Sequence, residues 1–182
     1  MNYHKINLDK YNNHKFIYTS KPNSKKEVGL DGTYILKQDL NYQIEEKIEN
    51  IEFTFSFQRF DNIQCNKQRI QINKKARYLH IIGFSYWGST NEFFEIIYQD
   101  GSSELIKVPF IDWLLKAANN YETIGWYGTN NTTVKQVLSK GSQINLINFH
   151  HSINKINNSK IIKEIILPDN FLIHIFGLTL EE

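Results

Sequence analysis

Two aromatic pairs beside glycines are the side chains of this sequence best suited to bind a ligand. Tyr86 and Trp87 stand in "FSYWGSTNE", and Trp126 and Tyr127 stand in "TIGWYGTNN". Glycine and small polar neighbours favour loops, and loops on a rigid scaffold often carry binding sites. A flat aromatic face can cover the C–H groups of a sugar ring while nearby polar groups bind its hydroxyls. The alternative is that one ring of each pair covers an open end of the core and keeps its polar tip in water.

Carboxylate side chains are numerous, but their spacing does not indicate catalysis. Hydrolysis of a glycosidic bond requires two facing carboxyl groups, about 5–5.5 Å apart for retention and about 6.5–9.5 Å apart for inversion. The acids available by type are Asp31, Asp61, Glu92, Glu95, Asp100, Glu104 and Asp112. Because no motif assigns a role to any pair of them, we predict that the protein is not an enzyme.

The histidines do not form a recognisable metal motif. His150 and His151 are adjacent, and adjacent side chains of a strand point to opposite faces, so they cannot hold one ion together. His80 and His174 lie within apolar runs and are predicted to be core or edge histidines.

Calcium and thiol chemistry have little support in the sequence. Asp31 and Asp61 could supply oxygen ligands to a structural Ca²⁺ ion, but no calcium-loop spacing is visible. The single cysteine, Cys65, excludes an intrachain disulfide, and we predict that it is a small buried residue. No cofactor is predicted.

Composition excludes several kinds of partner. The 182-residue chain has 21 Lys and Arg against 19 Asp and Glu, and the basic residues are scattered, whereas nucleic-acid binding usually needs a concentrated basic stripe. No apolar run approaches the roughly 20 residues of a membrane-spanning helix. The opening "MNYHKINLDKYNNHKF" is not a signal peptide. We therefore expect no nucleic-acid or membrane partner and a cytoplasmic location.

Short strands must position the candidate side chains. Ile51, Phe53, Phe55 and Phe57 alternate with polar residues, which is the period of a half-buried strand. The run "ARYLHIIGFSY" is apolar on both faces, as expected for a strand inside a sandwich. An aromatic content of 14% also favours β structure.

The stretch "EIIYQDGSSELIKVPFIDW" predicts a hairpin that turns at Asp100 and Gly101. Pro109 should end the second strand or lie on a sheet edge, because proline has no amide hydrogen to donate. Asp112 then begins a segment with one or two turns of helical character, as an N-cap or a hydrogen-bonding anchor. Trp113 is predicted to pack in the core.

The last third of the chain predicts three more strands. The runs "SQINLINFHH" and "SKIIKEIILP" are separated by the polar turn cluster "SINKINN", and "NFLIHIFGLTLEE" follows. Many short strands with turn signals between them predict an all-β protein, an antiparallel β-sandwich with one short helix. We predict an irregular N-terminal segment at residues 1–27 and a single domain at 28–182.

Six segments in order resemble the galactose-binding-like jelly-roll domains, and more narrowly the accessory modules of bacterial glycoside hydrolases. They are "LDGTY" (30–34), "DNIQCNKQRIQI" (61–72), "ARYLHIIGFSYWG" (76–88), "EIIYQDGSSELIKVPFIDW" (95–113), "KEIILPDN" (163–170) and "LIHIFGLTL" (172–180). The resemblance covers residues 28–181. It implies a jelly-roll sandwich of eight or more strands that is often carbohydrate-binding and non-catalytic.

Together, the aromatic pairs and the resemblance predict a non-catalytic, lectin-like protein whose partner is a glycan or glycoconjugate. Its candidate binding residues are Tyr86, Trp87, Trp126 and Tyr127. The alternative is a protein-interaction or structural module, self-associating or not, that has no sugar ligand.

Overall fold

The apolar runs form fifteen strands and one short helix in the part of the chain that the computed structural model describes, residues 2–23, 28–114, 131–142 and 145–182. In chain order these elements are β1 (Tyr3–Ile6), β2 (Ile17–Tyr18), β3 (Thr33–Leu36), α1 (Lys37–Leu40), β4 (Glu45–Ile48), β5 (Ile51–Thr54), β6 (Ile63–Gln64), β7 (Arg69–Lys74), β8 (Tyr78–Ser85), β9 (Thr90–Tyr98), β10 (Ser103–Phe110), β11 (Asn131–Leu138), β12 (Lys140–Gly141), β13 (Leu146–Lys155), β14 (Ile162–Ile166) and β15 (Ile173–Glu181).

A six-stranded antiparallel sheet lies at the centre, in the order β1-β15-β8-β13-β11, with β6 paired to the other end of β15. Both of its faces are buried. On β8, Leu79 and Ile81 belong to one core, whereas Ile82 and Phe84 belong to the other. This explains why the β8 run is apolar on both faces, as the sequence predicted.

A four-stranded antiparallel sheet, in the order β10-β9-β14-β7, packs on the first face of the central sheet. Phe94, Ile96 and Ile165 of this sheet share a core with Leu79 and Ile81 of the central sheet. The two sheets therefore form the predicted β-sandwich.

The second face of the central sheet is covered by two smaller sheets, in the order β12-β3-β2 and β4-β5. The strand predicted at residues 51–57 is confirmed in its first half as β5, which ends at Thr54 and whose residues Ile51 and Phe53 are buried here. Trp113 is also buried in this core, with its ring centroid 5.8 Å from those of Phe16 and Phe84. Its predicted core role is confirmed.

The predicted hairpin is confirmed as β9 and β10. Gly101 has φ of +85° in its turn, and the backbone N–H of Ser102 donates to Oδ1 of Asp100 at 2.9 Å. β10 is an edge strand and Pro109 is its penultimate residue. Proline is tolerated there because the outer side of an edge strand needs no ladder partner.

Three regions differ from the sequence expectations. The N-terminal segment is not irregular throughout, because β1 joins the central sheet and β2 pairs with β3, although polar residues interrupt their apolar pattern. The cluster "SINKINN" is a turn only in its second half, since β13 continues to Lys155. The described helix is α1, and most of the helix expected after Asp112 lies outside the described residues.

Cys65, His80 and His174 are buried, as predicted. Burial raises the pKa of the Cys65 thiol well above its usual value. Among the described residues, no helix has both the length and the apolar character needed to cross a bilayer.

Candidate functional site

Four loops meet at one end of the central sheet. The backbone N–H of Tyr86 donates to the carbonyl of Leu172 at 2.7 Å, and that of Ser85 donates to the carbonyl of Ile111 at 2.9 Å. The segment after β8 therefore lies between the segment after β10 and the segment before β15. The fourth loop contains Asp31, whose carboxylate accepts a hydrogen bond from the hydroxyl of Tyr86.

Tyr86 connects the core to the surface at this end. The edge of its ring meets Trp113, with centroids 4.7 Å apart, and its hydroxyl donates a hydrogen bond to the carboxylate of Asp31. Burial, followed by the bond to Asp31, raises the pKa of Tyr86 to about 12. Tyr86 is half-buried, so it covers the open end of the core and presents a polar tip.

Trp87 points its side chain into solvent, with 72% of its surface exposed. Its φ is +66°, in the left-handed region. A bulky residue in this region is a genuine outlier, and left-handed backbone costs an L-residue about 1–2 kcal/mol. The strain and the exposed ring together mark Trp87 as a residue that the fold alone does not explain.

Asp112 connects the Trp87 loop to the segment that follows β10. Its carboxylate accepts hydrogen bonds from the backbone N–H of Gly88 and, at 2.8 Å, from that of Leu114. Its own N–H donates to Oγ of Ser89 at 2.8 Å. Asp112 is therefore the predicted hydrogen-bonding anchor, and its carboxylate holds the Trp87 turn in place.

Phe171 is an exposed aromatic residue that sequence reasoning missed. It is 67% exposed and directly precedes Leu172, the residue that accepts the backbone hydrogen bond of Tyr86. Asn170 positions this loop, since its Oδ1 accepts the N–H of Leu172 at 3.0 Å and its Nδ2 donates to Glu92 at 2.7 Å. The sequence "PDN" immediately before Phe171 is a turn signal, and it predicts that this Phe lies in a loop.

We name the group formed by Asp31, Tyr86, Trp87, Asp112 and Phe171 the aromatic loop surface. It combines two exposed rings with two carboxylates and a phenol hydroxyl. Trp126 and Tyr127 lie outside the described residues.

Asp31 and Asp61, the two acids weighed as calcium ligands, have other bonding partners. The buried carboxylate of Asp61 accepts the backbone N–H groups of Phe16 and Ile17 at 2.9–3.1 Å and lies 3.2 Å from Nζ of Lys15. Asp31 accepts the Tyr86 hydroxyl instead. Within the described ranges, no group of three or more His, Cys, Asp or Glu side chains could hold a metal ion.

Most of the other carboxylates are bound to their own surroundings. Asp100 accepts from Ser102, and Glu92 accepts from Thr90 and Asn170. Glu104 accepts the hydroxyl of Tyr98 and the backbone N–H of Asn157. These three carboxylates thus have local structural roles.

Comparison with known proteins gives no family for the chain. No protein-family model matches the sequence, and no curated protein matches it either.

Proposed function

We propose that the protein is a non-catalytic, lectin-like carbohydrate-binding β-sandwich whose partner is a glycan or glycoconjugate bound at the aromatic loop surface. The observation that carries this proposal is Trp87, an exposed ring held on a strained backbone by hydrogen bonds to the residues on either side of it. Strain of this kind persists only where the surroundings fix it, and it concentrates at binding sites.

The chemistry around Trp87 suits a sugar. An aromatic face gives the C–H side of a pyranose a flat apolar surface, and two exposed rings on adjacent loops offer two such faces. Asp31 can accept further hydrogen bonds from sugar hydroxyls, because a carboxylate has about four acceptor sites and the Tyr86 hydroxyl uses one. The resemblance to galactose-binding-like domains supports the same function.

The proposed site binds without reacting. Asp112 is committed to two backbone N–H groups, and Asp31 already accepts from Tyr86. A glycosidase needs one carboxyl group free to donate a proton and another free to attack or to activate water. Carboxylates that hold loops in place are poorly suited to either task.

The test is a glycan array, followed by isothermal titration calorimetry with galactose, lactose and the best array ligand. Trp87→Ala and Phe171→Ala should each weaken binding about tenfold or more, which corresponds to about 1.4 kcal/mol or more per ring. Incubation of the bound oligosaccharide with the protein should release no shorter product.

Leu138→Ala is the matched control, because Leu138 is also an exposed apolar residue but lies on β11, at the far edge of the central sheet. Its affinity should equal that of the unaltered protein. The proposal is wrong if the folded protein binds no glycan on the array, or if Trp87→Ala binds as tightly as Leu138→Ala.

A further inference from the structure

The outer face of the four-stranded sheet carries apolar side chains that nothing in the described residues covers. Phe94, Ile96 and Ile106 point into the core, so the residues between them point outwards. On this outer side, Leu105 is 67% exposed and Phe93 is 56% exposed. Ile97 of β9 and Ile166 of β14 are half-buried on the same side. An apolar cluster of this kind on a sheet face is typical of an interaction site.

Glu95 lies in the middle of this apolar cluster. It stands between Phe93 and Ile97 along β9, and it is directly opposite Leu105 on β10 and Ile166 on β14. Its carboxylate makes no hydrogen bond or close ion pair with any other described residue, and its one recorded electrostatic interaction is with Arg69 at longer range. Covering the cluster would remove Glu95 from water, which is unfavourable unless the covering surface brings a positive charge.

Lys107 supplies a positive charge on the same face. It is exposed on β10, directly opposite Phe93 and diagonal to Glu95. Among the described residues it too has no hydrogen bond or ion pair. Arg69, the next cation on this face, is already bonded to Glu164, with Nε 3.1 Å from Oε2.

Four outward-facing positions on the β9-β10 pair form a near-rectangle: Phe93 and Glu95 on β9, and Leu105 and Lys107 on β10. Glu95 and Lys107 occupy one diagonal, and Phe93 and Leu105 occupy the other. Its sides are about 4.8 Å between strands and about 6.7 Å along a strand. A two-fold axis that lies in the plane of the face and perpendicularly bisects the Glu95–Lys107 diagonal exchanges these two corners and passes close to Phe93 and Leu105. This axis would place Glu95 of each copy opposite Lys107 of the other. It would also place Phe93 near the Phe93 of the second copy, and Leu105 near its Leu105.

We propose that this face binds a second copy of the chain in a two-fold dimer. We name the group formed by Phe93, Glu95, Ile97, Leu105, Lys107 and Ile166 the dimer face. Strands of the two copies would cross at about 70°, close to the orthogonal class of sheet packing. The dimer is independent of the glycan site, because the dimer face shares no residue with the aromatic loop surface.

The size of the face is compatible with a weak dimer. Four strands of about seven residues, spaced about 4.8 Å apart, offer roughly 450 Å² per copy. Two such faces would bury on the order of 900 Å² if they overlapped completely, but crossing about the β9-β10 edge of the sheet covers only part of each face, so the interface is in the size range of weak, transient contacts. We therefore expect a concentration-dependent dimer with a micromolar dissociation constant.

Analytical ultracentrifugation of the full chain from about 1 to about 300 μM tests the proposal across the micromolar range. E95K and K107E should each abolish the dimer, because each brings like charges together across the interface. The double variant E95K/K107E should restore it. An equimolar mixture of the two single variants should form heterodimers, because one copy then carries two lysines where the other carries two glutamates.

K47E is the matched control, since Lys47 is an exposed lysine on β4, on the other side of the central sheet. It should leave the dimer unchanged. The proposal is overturned if the unaltered chain stays monomeric throughout the concentration range, if either single variant still dimerises, or if the mixed single variants stay monomeric. Circular dichroism of each variant establishes that it is folded.

Discussion

His80 and His151 face each other on neighbouring strands of the central sheet, with Nδ1 of His80 3.1 Å from Nε2 of His151. The outer nitrogen of each ring meets a carboxylate. Nε2 of His80 lies 3.0 Å from Oε2 of Glu181, and Nδ1 of His151 lies 2.6 Å from Oε2 of Glu49. Both rings are buried, and burial lowers the pKa of both histidines. Four titratable groups thus form one continuous chain that ends at a surface turn.

Glu49 should fasten the β4-β5 hairpin to the central sheet through this chain. Glu49→Ala should lower the free energy of unfolding by about 1–3 kcal/mol, because it leaves the buried Nδ1 of His151 without a partner. Glu49→Gln should lose less, since the amide oxygen can still accept a hydrogen bond. Urea unfolding at pH 7.5 measures both variants. Equal stability of the two would contradict a hydrogen-bonding role for Glu49.

The protonation of His174 predicts loss of stability in acid. Nδ2 of Asn62 donates to Asp61 at 2.8 Å, so Oδ1 of Asn62 accepts from Nδ1 of His174 at 2.9 Å. Nε2 of His174 is buried without a hydrogen-bond partner, and burial lowers the pKa of His174 to about 3. The unfolded chain therefore binds a proton below about pH 6.5 that the folded chain does not.

For His174 alone, the free energy of unfolding should fall by about 2 kcal/mol between pH 7 and pH 5. His174→Asn keeps an N–H donor near the position of Nδ1 but does not titrate. This variant should be less stable at pH 7, yet it should lose about 2 kcal/mol less than the unaltered protein on acidification. Urea unfolding at the two pH values gives the comparison. Parallel pH dependence in the two proteins would refute the assignment.

Local patterns were sufficient to predict the β9-β10 hairpin, the alternation at residues 51–57 and the core position of Trp113. Each depends on neighbouring residues, such as the turn-forming Asp100 and Gly101, or on a short apolar run. β1 was missed because an edge strand can pair its backbone with few apolar side chains, and only the tertiary fold brings it beside β15.

The candidate site was predictable in residue type but not in geometry. Tyr86 and Trp87 were visible as a loop pair, but their division into a half-buried ring and an exposed ring depends on Trp113 and Asp31, far away in sequence. The contact between His80 and His151 spans 71 positions and becomes visible only through the pairing of β8 with β13. No local pattern encodes such contacts.

The left-handed backbone of Trp87 should lower the stability of the protein, while its exposed ring provides the glycan affinity proposed for this surface. Trp87→Gly should raise the free energy of unfolding by about 0.5–1 kcal/mol, because glycine adopts positive φ without a steric penalty and its greater freedom in the unfolded chain offsets only part of the gain. The same change should abolish the glycan affinity proposed for this surface. Thermal unfolding and calorimetry measure the two effects, with Phe171→Ala as the control that weakens binding without relieving strain. A loss of stability in Trp87→Gly would contradict the strain argument.

Gly83 and Gly177 should respond differently to the same added methyl group. A Cβ atom on Gly83 would lie 2.5 Å from the carbonyl oxygen of His174, a backbone atom held by the β8-β15 pairing. A Cβ atom on Gly177 would meet Cδ1 of the Phe53 ring at 3.1 Å, and a side chain can move by a few tenths of an ångström. Gly83→Ala should therefore cost about 3 kcal/mol or more and Gly177→Ala about 1 kcal/mol, as measured by urea unfolding. The reverse order would mean that the backbone pairing of β8 with β15 yields more easily than the packing of Phe53.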